Sequence, residues 1–478
     1  MIKFRIYQWL LIATLAVTIG CKKDWDQHNT VSDGNSGKSL KTLMSGINNL
    51  SKFEQLLAQS SYANILGSSK SFTVFAPTNE ALTTLDPTIT NDTSRLNKFL
   101  ANHIADLRFL TTDATDTLRV LMLNGKYNNF FGKKVEEANI TTADVVGSNG
   151  VIHVIDKMVP NRLNIWEIIS TTNEIPALQQ ALLLKLNYQG FDPSKAEQTG
   201  VDPITGLPVY KPGTGIVPRN RYWDRVYDLR NEKNQYTFFA IADDAYTTQL
   251  NTYKPFFVTG NADSTNDLAG YTIVKDFTMP GLYTQAQLPD TLLSKFGVKV
   301  PVNKANIVKT VKASNGIVYV LSNLSIAPVN KFLPIVLEGE NYSGSSHDRR
   351  SNTFFRDRIN STTGLPYRDV LVSGHGVALF NLRYRLSEMP SMKFKAYWVA
   401  VNDFQTATFT QRLAPGVATS TVFPYTTVAV NNQTEVLIGE FTIASFQQVY
   451  DIFLVGANST TAAANPLVCD YIKLVPSL

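Results

Sequence analysis

Apolar positions are arranged in three different ways along the chain, and each arrangement predicts a different kind of element. Residues 9–20 form one apolar run that ends directly before Cys21. Between residues 40 and 331, short β-branched and aromatic runs are followed by helix signals, whereas strand patterns dominate from Leu333 onward. We therefore expect a short leader, an α/β region and an all-β region, in that order.

Two sequence blocks of the α/β region occur twice in the same order. FTVFAPTNEAL at 72–82 returns as YTFFAIADDAY at 236–246, and SNGVIHVID at 148–156 returns as SNGIVYVLS at 314–322. The two offsets, 164 and 166 residues, are nearly equal. Because chance matches would not keep both order and spacing, the sequence indicates two copies of one module.

Local residue preferences predict the same strand, cap and turn in each copy. The β-branched and aromatic residues 73–75 favour a strand, and Pro77 is expected to end it. Thr78, and in the second copy Asp243, are predicted to cap the helix that follows. The Asn-Gly pair of each SNG block predicts a tight turn, because both residue types tolerate positive φ.

Together these blocks and the NHI at 102–104 resemble the fasciclin domain. The resemblance implies a compact α/β fold, in which several helices lie at one edge of a wedge of strands. It covers residues 40–162 well. It covers residues 163–331 less well, because Asp276 falls about where the family has a histidine and Ile241 replaces its proline. We expect two fasciclin-like modules, the second of them divergent.

A long insertion, residues 190–234, interrupts the second module before its first hallmark strand. It is rich in Pro and Gly but also carries Tyr210, Tyr222 and Trp223. Long irregular insertions are usually functional or disordered, and this one has too many aromatic residues to be merely disordered. Two interpretations follow: the insertion packs between domains, or it contributes to a ligand surface with Trp223 as a candidate contact.

Residues 333–478 contain at least six predicted strands separated by turn residues. Alternation of apolar and polar positions within these runs is typical of strands with one buried face, and the number of strands favours an antiparallel β-sandwich. The predicted strands are 334–342, 376–386, 392–401, 434–443, 450–457 and 468–476.

The two ends of this segment, VLEGENY and DYIKLVP, resemble the first and last strands of the jelly-roll sandwiches used as carbohydrate-binding modules. First and last strands of such a sandwich lie side by side. The expected fold class is therefore multidomain, with two α/β fasciclin-like modules followed by an all-β, jelly-roll-like sandwich.

The amino terminus has the pattern of an export signal. A basic head with Lys3 and Arg5 precedes an apolar run too short to span a bilayer. The run resembles a bacterial lipoprotein signal, which implies cleavage after residue 20 and acylation of Cys21, with residues 21–39 as a flexible tether. A plain secretory signal is the alternative. We expect an outer-membrane lipoprotein displayed on the cell surface, or alternatively one that faces the periplasm.

Composition and motifs argue against several function classes. The net charge of +5 is spread along the chain, whereas nucleic-acid binding needs a concentrated basic stripe. With Cys21 acylated, Cys469 would have no disulfide partner. No catalytic or phosphate-binding motif occurs, and NADSTND at 261–267 lacks the glycine and glutamate of an EF-hand loop and predicts a solvated loop. We predict no catalytic residue, metal or cofactor, and assign structural roles to His103 and His153.

Sugar contacts can be predicted only by residue type, since sugars stack on aromatic rings and hydrogen-bond to charged side chains. Trp398 and Tyr397 point to opposite faces of one strand, so at most one of them can line a ligand surface. The candidates are Trp398, Tyr342, His347, Arg349, Arg350, Tyr367 and Trp223.

Three functions remain. The favoured one is an adhesive or glycan-binding surface lipoprotein that is accessory to an outer-membrane glycan-uptake system. The second is a structural partner that docks onto an outer-membrane transporter without binding ligand. An enzyme is the third, and the shortage of catalytic groups argues against it.

Overall fold

The computed structural model describes residues 37–478. The predicted signal peptide, Cys21 and nearly all of the tether lie outside these residues. The described chain divides into two compact units. The first consists of residues 37–166, 229–235 and 312–315, and the second of residues 167–228, 236–311 and 316–478. The domain boundaries predicted near residues 162 and 331 stay predictions.

The α-helices of the described residues lie in their amino-terminal two thirds, whereas 3-10 helices also occur later, at Gly339–Asn341 and Arg350–Asn352. The α-helices are α1 Leu40–Ser45, α2 Ser51–Ala58, α3 Pro87–Thr90, α4 Thr93–Ala101, α5 Ile165–Thr171, α6 Ala177–Lys185, α7 Arg221–Arg225, α8 Asp243–Tyr253, α9 Ala262–Val274 and α10 Pro328–Lys331.

Strands occur throughout the described chain. Up to residue 321 they are β1 Phe72–Pro77, β2 Ile104–Ala105, β3 Leu118–Leu121, β4 Tyr127–Phe131, β5 Lys134–Val135, β6 Ala138–Gly147, β7 Gly150–Ile155, β8 Asn187–Phe191, β9 Gln198–Val201, β10 Pro208–Tyr210, β11 Ile216–Asn220, β12 Tyr236–Ile241, β13 Thr278–Pro280, β14 Thr291–Leu293, β15 Lys299–Pro301, β16 Ile307–Ala313 and β17 Gly316–Leu321. After it they are β18 Ile335–Glu338, β19 Gly344–Ser345, β20 Thr353–Ile359, β21 Pro366–Val372, β22 Asn381–Met389, β23 Lys393–Val399, β24 Phe409–Pro415, β25 Thr426–Val428, β26 Val436–Thr442, β27 Gln447–Gly456, β28 Leu467–Cys469 and β29 Tyr471–Ser477.

The first unit contains a seven-stranded sheet in the order β2-β1-β7-β6-β5-β4-β3. Its two hallmark strands, β1 and β7, pair in parallel with Phe72 opposite Gly150, and every residue of both is buried. Gly150 has φ +143°, and a Cβ there would lie 1.9 Å from the carbonyl oxygen of Phe72. Only glycine therefore allows the two strands to approach this closely.

The second unit contains a four-stranded sheet in the order β13-β12-β17-β16. Its strands β12 and β17 also pair in parallel, with Tyr236 opposite Gly316 and Ile241 opposite Leu321, and both are buried throughout. This register repeats that of β1 and β7 residue for residue. We call residues 40–162 the first repeat and residues 163–331 the second repeat.

Residues 335–477 of the second unit form a β-sandwich. Its sheets have the orders β18-β29-β23-β26, β19-β22-β27-β24-β25 and β20-β21-β28, and one core cluster joins residues of all three. Strand β18 pairs with β29, placing Ile335 opposite Leu474, which confirms that the first and last strands lie side by side. The strand predicted at 376–386 begins later, at Asn381, because Gly376 and Leu379 take positive φ.

The insertion is more regular than the sequence predicted. Strands β8 and β11 pair, as do β9 and β10, so residues 187–220 form an antiparallel ribbon. At its base Tyr222 is fully buried and its hydroxyl hydrogen-bonds to Thr278, while Arg225 forms an ion pair with Glu388 of the sandwich. The ribbon itself exposes apolar side chains, including Ile204 at 93%.

Two hairpin tips of the second unit share one sequence and one hydrogen-bond pattern. TGLP occurs at 205–208 between β9 and β10 and at 363–366 between β20 and β21. In each tip the side chain of Asp202 or Asn360 accepts from two backbone amides, at 2.8–3.0 Å. The glycine of each tip has φ +70°, and the leucine is about two-thirds exposed.

Pro77 is the last residue of β1, which confirms that it ends the strand. Two other local predictions were wrong. Asp243 does not cap α8; it lies in the first turn of that helix, and its carboxylate accepts from the backbone N–H of Leu178 at 2.9 Å. The polar run at 261–267 is not a loop, because Asn261 caps α9 by accepting from Ser264 and the following residues are helical. The first oxygen-bearing residue of the run therefore serves helix initiation.

Candidate functional site

A hairpin of the sandwich with two exposed aromatic residues is formed by β20 and β21, and strand alternation places its side chains on two faces. In this antiparallel pair Phe355 lies opposite Val370, and Asp357 lies opposite Arg368. These residues share one face, because side chains two positions apart point the same way. Arg356, Arg358, Tyr367 and Asp369 lie on the other face.

An aromatic and cationic cluster occupies the first face. The rings of Tyr342 and Phe355 stack at 6.3 Å between centroids with 21° between their planes. The guanidinium carbon of Arg368 lies 5.8 Å from the centre of the Phe355 ring. Phe355 is 45% exposed, although it is a large apolar side chain. We call Tyr342, Phe355 and Arg368 the aromatic–arginine face.

Arg350 extends this positive surface. Its guanidinium bonds to both carboxylate oxygens of Asp348, at 2.7 and 3.1 Å, and it lies close enough to Tyr342 for the two groups to interact electrostatically. The hydrogen bonds from Arg350 lower the pKa of Asp348 to about 2. Arg368 is held more loosely, since its Nε lies 3.7 Å from Asp357. Its donors are therefore available to another partner.

The opposite face is occupied by its own ion pairs. Arg356 holds Asp369 with two donors and Asp403 with a third, at 2.7 Å. Burial raises the pKa of Tyr367, and burial together with nearby carboxylates raises the pKa of Asp470 to about 7. Tyr367 thus lies near charged groups that are already ion-paired, on the face away from Phe355.

The remaining loop candidates have separate environments. His347 is exposed and its Nδ1 lies 3.1 Å from the hydroxyl of Ser346. Arg349 is half-buried and donates to the carbonyl oxygen of His375 at 3.0 Å, a bond that holds the loop. His375 is buried between two positive-φ glycines, and its Nε2 donates to Asn465 at 2.8 Å.

Trp398 corrects a prediction. It is 1% exposed and belongs to the core between the sheets, so it cannot contact a ligand at the surface. The alternation of β23 turns Tyr397 outward instead, where Lys473 lies 5.7 Å from its ring centre. Trp223 lies in α7, outside the sandwich, and is half-buried; its ligand role stays a prediction.

The two histidines of the first repeat are hydrogen-bonded and buried. His103 Nδ1 donates to Phe99 O at 2.8 Å and its Nε2 accepts from the backbone of Val159 at 3.0 Å. His153 contacts Phe109 O through Nε2 at 2.9 Å. Burial lowers the pKa of His103 to about 4 and also lowers the pKa of His153. Both imidazoles therefore act as neutral connectors of the fold.

The aromatic–arginine face has the chemistry of a sugar platform. An exposed aromatic ring offers a flat apolar surface to the C–H side of a sugar ring, and a planar guanidinium offers several fixed donors to hydroxyl or carboxylate oxygens. Two of its residues, Phe355 and Arg368, were not predicted. Both lie in runs where aromatic and charged residues alternate, TFFRDRI and PYRDVLV, and that alternation was the available signal.

The described residues lack two other kinds of site. No group of three or more histidine, cysteine, aspartate or glutamate side chains within residues 37–478 is arranged to hold a metal ion. None of the helices in that range combines the length and apolar character that a bilayer crossing requires.

Comparison with known proteins identifies the first repeat. Residues 48–160 match the family model described as the fasciclin domain. Protein sll1483 of Synechocystis sp. is 36% identical over 98 residues, which cover 18% of this chain and 54% of that protein, so the chain spans about half of its length. The uncharacterized protein sll1735 of the same organism is 30% identical over 118 residues, covering 23% of this chain and 89% of that protein. The chain therefore belongs to the fasciclin-domain family.

Solved structures give weaker likenesses. A domain pair from the insect cell adhesion molecule Fasciclin I is 16% identical, with a TM-score of 0.23, over 58% of this chain and 97% of its own. A family 35 carbohydrate-binding module from Clostridium thermocellum is 14% identical, with a TM-score of 0.21, over 30% of this chain and 96% of its own. At these TM-scores neither likeness establishes a fold.

Proposed function

We propose that this protein is a non-catalytic, lipid-anchored surface protein that binds glycan through the aromatic–arginine face of its sandwich. In this proposal residues 1–20 are removed, Cys21 is acylated, and residues 21–39 link the folded chain to the outer membrane. The glycan-binding sandwich then serves an outer-membrane uptake system as an accessory. Surface display is preferred over the periplasmic orientation.

The second repeat is proposed as a divergent fasciclin module. In each repeat a buried asparagine links the start of the first helix to two distant backbone carbonyls. The bonds are Leu40 N to Asn149 and Asn149 to Leu66 and Ser68, against Ile165 N to Asn315 and Asn315 to Leu229 and Asn231. Since buried amides specify partners by geometry, this repetition supports common ancestry of the two folds.

Glycan binding rests on one observation, the exposed stack of Tyr342 and Phe355 beside Arg368. Tyr342 also packs against the core of the sandwich, so the platform is held rigidly. A large aromatic side chain left 45% exposed costs hydrophobic free energy unless something covers it. A sugar ring would cover it while its oxygens bond to Arg368 or Arg350.

A second candidate function is docking onto an outer-membrane transporter, and the ribbon of the insertion favours it. Around its tip, Val201, Ile204, Leu207 and Val209 are between 44% and 93% exposed. Exposed apolar side chains grouped on one projection are typical of protein contact surfaces. In this alternative the ribbon binds protein and the sandwich binds no ligand.

The test is binding of the full mature chain to a glycan array, followed by titration of the best ligand with Phe355→Ala and Arg368→Gln variants. We expect each variant to weaken binding about tenfold, the effect of losing one aromatic or charge-assisted contact. Phe354→Ala is the matched control, because Phe354 is 48% exposed on the opposite face of the same strand.

Two results would reject glycan binding at this face. One is equal weakening by Phe354→Ala and Phe355→Ala. The other is the absence of any glycan ligand together with copurification of a transporter that depends on Ile204 and Leu207, which would establish the docking function. Separately, mass spectrometry of the mature protein should find acyl chains on residue 21, and an unmodified amino terminus would reject the anchor.

A further inference from the structure

A cavity lies in the second unit outside the sandwich, where the ribbon leaves the second repeat. It has a volume of about 240 Å³ and lies among α6, α7 and α9. Its lining residues are Leu182, Lys185, Leu186, Asn187, Tyr188, Arg221, Arg225, Asp267, Leu268 and Tyr271. Nothing in the glycan proposal uses it.

The floor of this cavity is apolar and firmly built. Leu182 is buried, and Leu268 and Tyr271 lie three residues apart on one face of α9. Close approach of α6 and α8 to α9 depends on Gly270, since a Cβ there would lie 2.4 Å from the hydroxyl of Tyr246 in α8 and 3.1 Å from Leu182 in α6. The floor is therefore a fixed surface of helix packing.

The charges at the rim are paired, with one exception. Lys185 bonds to Asp267 at 2.7 Å, and Arg225 forms an ion pair with Glu388. Within residues 37–478, the guanidinium of Arg221 has no ion-pair or side-chain hydrogen-bond partner, and only its backbone N–H is bonded, to Leu186. The rim thus presents one uncompensated cation above an apolar floor.

The acid nearest to Arg221 in the sequence, Asp224, is bonded to other side chains. The hydroxyl of Tyr188 donates to Asp224 at 2.6 Å, and the same carboxylate is held by Arg219. Asp224 is therefore already neutralised by residues of the ribbon base. Within residues 37–478 no carboxylate bonds to Arg221, so its guanidinium is open to an added acid.

We propose that this cavity binds a small organic carboxylate with a compact apolar body, its carboxylate on Arg221 and its apolar part on Leu182, Leu268 and Tyr271. Planar guanidinium groups bind carboxylates with two parallel hydrogen bonds. The volume is below the roughly 300–1,000 Å³ of sites for drug-sized ligands, so the ligand is no larger than one aromatic ring with a short acidic chain. This site is independent of the aromatic–arginine face.

The probe is 3-phenylpropanoate, and 3-phenylpropanamide is its uncharged isostere. Both are titrated into the full mature chain by calorimetry and ligand-observed NMR. We expect the acid to bind in the millimolar range or tighter and the amide at least tenfold more weakly, because only the acid forms a charge-assisted pair. Arg221→Gln should weaken the acid about tenfold and leave the amide unchanged.

Two further variants separate the outcomes. Leu268→Trp fills the cavity and should abolish binding of both probes while the circular dichroism spectrum stays native. Arg368→Gln, the variant that tests glycan binding, should leave both probes unaffected. Equal affinity for acid and amide, unchanged acid binding in Arg221→Gln, or no binding of either probe at about 10 mM would overturn the proposal. None of these results bears on glycan binding, so the two proposals fail separately.

Discussion

The two repeats share a buried hydrogen-bond framework although few of their residues are identical. In each repeat the threonine of the first hallmark strand donates to one carbonyl and accepts from the amide two residues later. These sets are Thr73 with Leu107 and Phe109, and Thr237 with Gly281 and Tyr283, all at 2.7–3.0 Å. In the other hallmark strand His153 and Tyr319 occupy equivalent places, and each contacts a carbonyl at 2.9 Å. The framework is therefore kept when the residue that supplies it changes.

The repeats differ at the end of the helix before the short strand. In the first repeat neutral His103 joins the carbonyl of Phe99 to the backbone N–H of Val159. In the second repeat Asp276 and Lys331 are both buried, and Lys331 bonds to Asp276 at 2.8 Å and to the carbonyls of Thr272 and Ile273. An ion pair thus replaces one imidazole.

This difference shows how one structural task can be met at different electrostatic cost. A neutral imidazole loses little on burial, whereas two ions lose their hydration and depend on each other. Burial lowers the pKa of Lys331 to about 8, against the opposing effect of Asp276. Ser294 donates a further bond to Asp276 at 2.6 Å. The second repeat should therefore be much more sensitive to loss of a single partner than the first.

The largest expected effect comes from breaking that pair. Lys331→Met leaves the Asp276 charge buried, and removal of one partner of a buried ion pair costs about 3–5 kcal/mol. Urea unfolding, monitored by hydrogen exchange of peptides from the second repeat, should report this loss of stability. The first repeat should be unchanged.

The double variant Lys331→Met, Asp276→Asn sharpens the comparison. Since neither side chain is then charged, it should be more stable than Lys331→Met alone. The prediction fails if the free-energy losses of the two single substitutions simply add in the double variant, or if Lys331→Met costs less than about 1 kcal/mol. In either case the ion pair does not explain the expected sensitivity of the second repeat.

Acidification should lower the stability of the first repeat, whereas loss of Lys331 lowers that of the second repeat. The folded pKa of His103 is about 4, below its ordinary value of 6.5, so the folded state binds the proton more weakly than the unfolded state. The stability due to neutral His103 is present above pH 6.5 and is lost as the pH falls through 4. The loss amounts to about 3 kcal/mol for the full shift.

Peptide-resolved hydrogen exchange between pH 7 and pH 4 measures this effect, with His103→Asn as the comparison protein. The variant should lose less stability on acidification than the wild type within the first repeat. Equal losses in both proteins would mean that His103 is not a source of acid sensitivity.

Sequence reasoning reached the repeat and the sandwich because periodic strands and Asn-Gly turns are local signals. It could not reach the Lys331–Asp276 pair, whose members lie 55 residues apart and meet only through packing. It also placed Trp398 among ligand contacts, since alternation shows that one of two neighbours faces inward but does not say which one. The Tyr342–Phe355 stack was missed because its two rings come from separate segments, a turn and a hairpin strand, that meet only through packing. The repeated TGLP tip was a local signal that could have been found.

The smallest expected effect tests whether the framework contributes equally in both repeats. Asn149 and Asn315 are both buried, at 6% and 0% exposure, and each ties its first helix to the turn before the second hallmark strand. Replacement of either by alanine leaves one backbone N–H and its carbonyl partners without their bonds, which costs about 2–3 kcal/mol. Asn64→Ala, at an exposed position of the first repeat, should cost less than about 0.5 kcal/mol. Similar losses for the two buried asparagines, measured by urea unfolding, would mean that the repeats are equivalent wherever their framework residues are the same and differ only where chemistry was exchanged. A loss of stability confined to Asn149→Ala would instead mean that the second repeat holds its first helix by other contacts. The two repeats would then be equivalent only in their sheets.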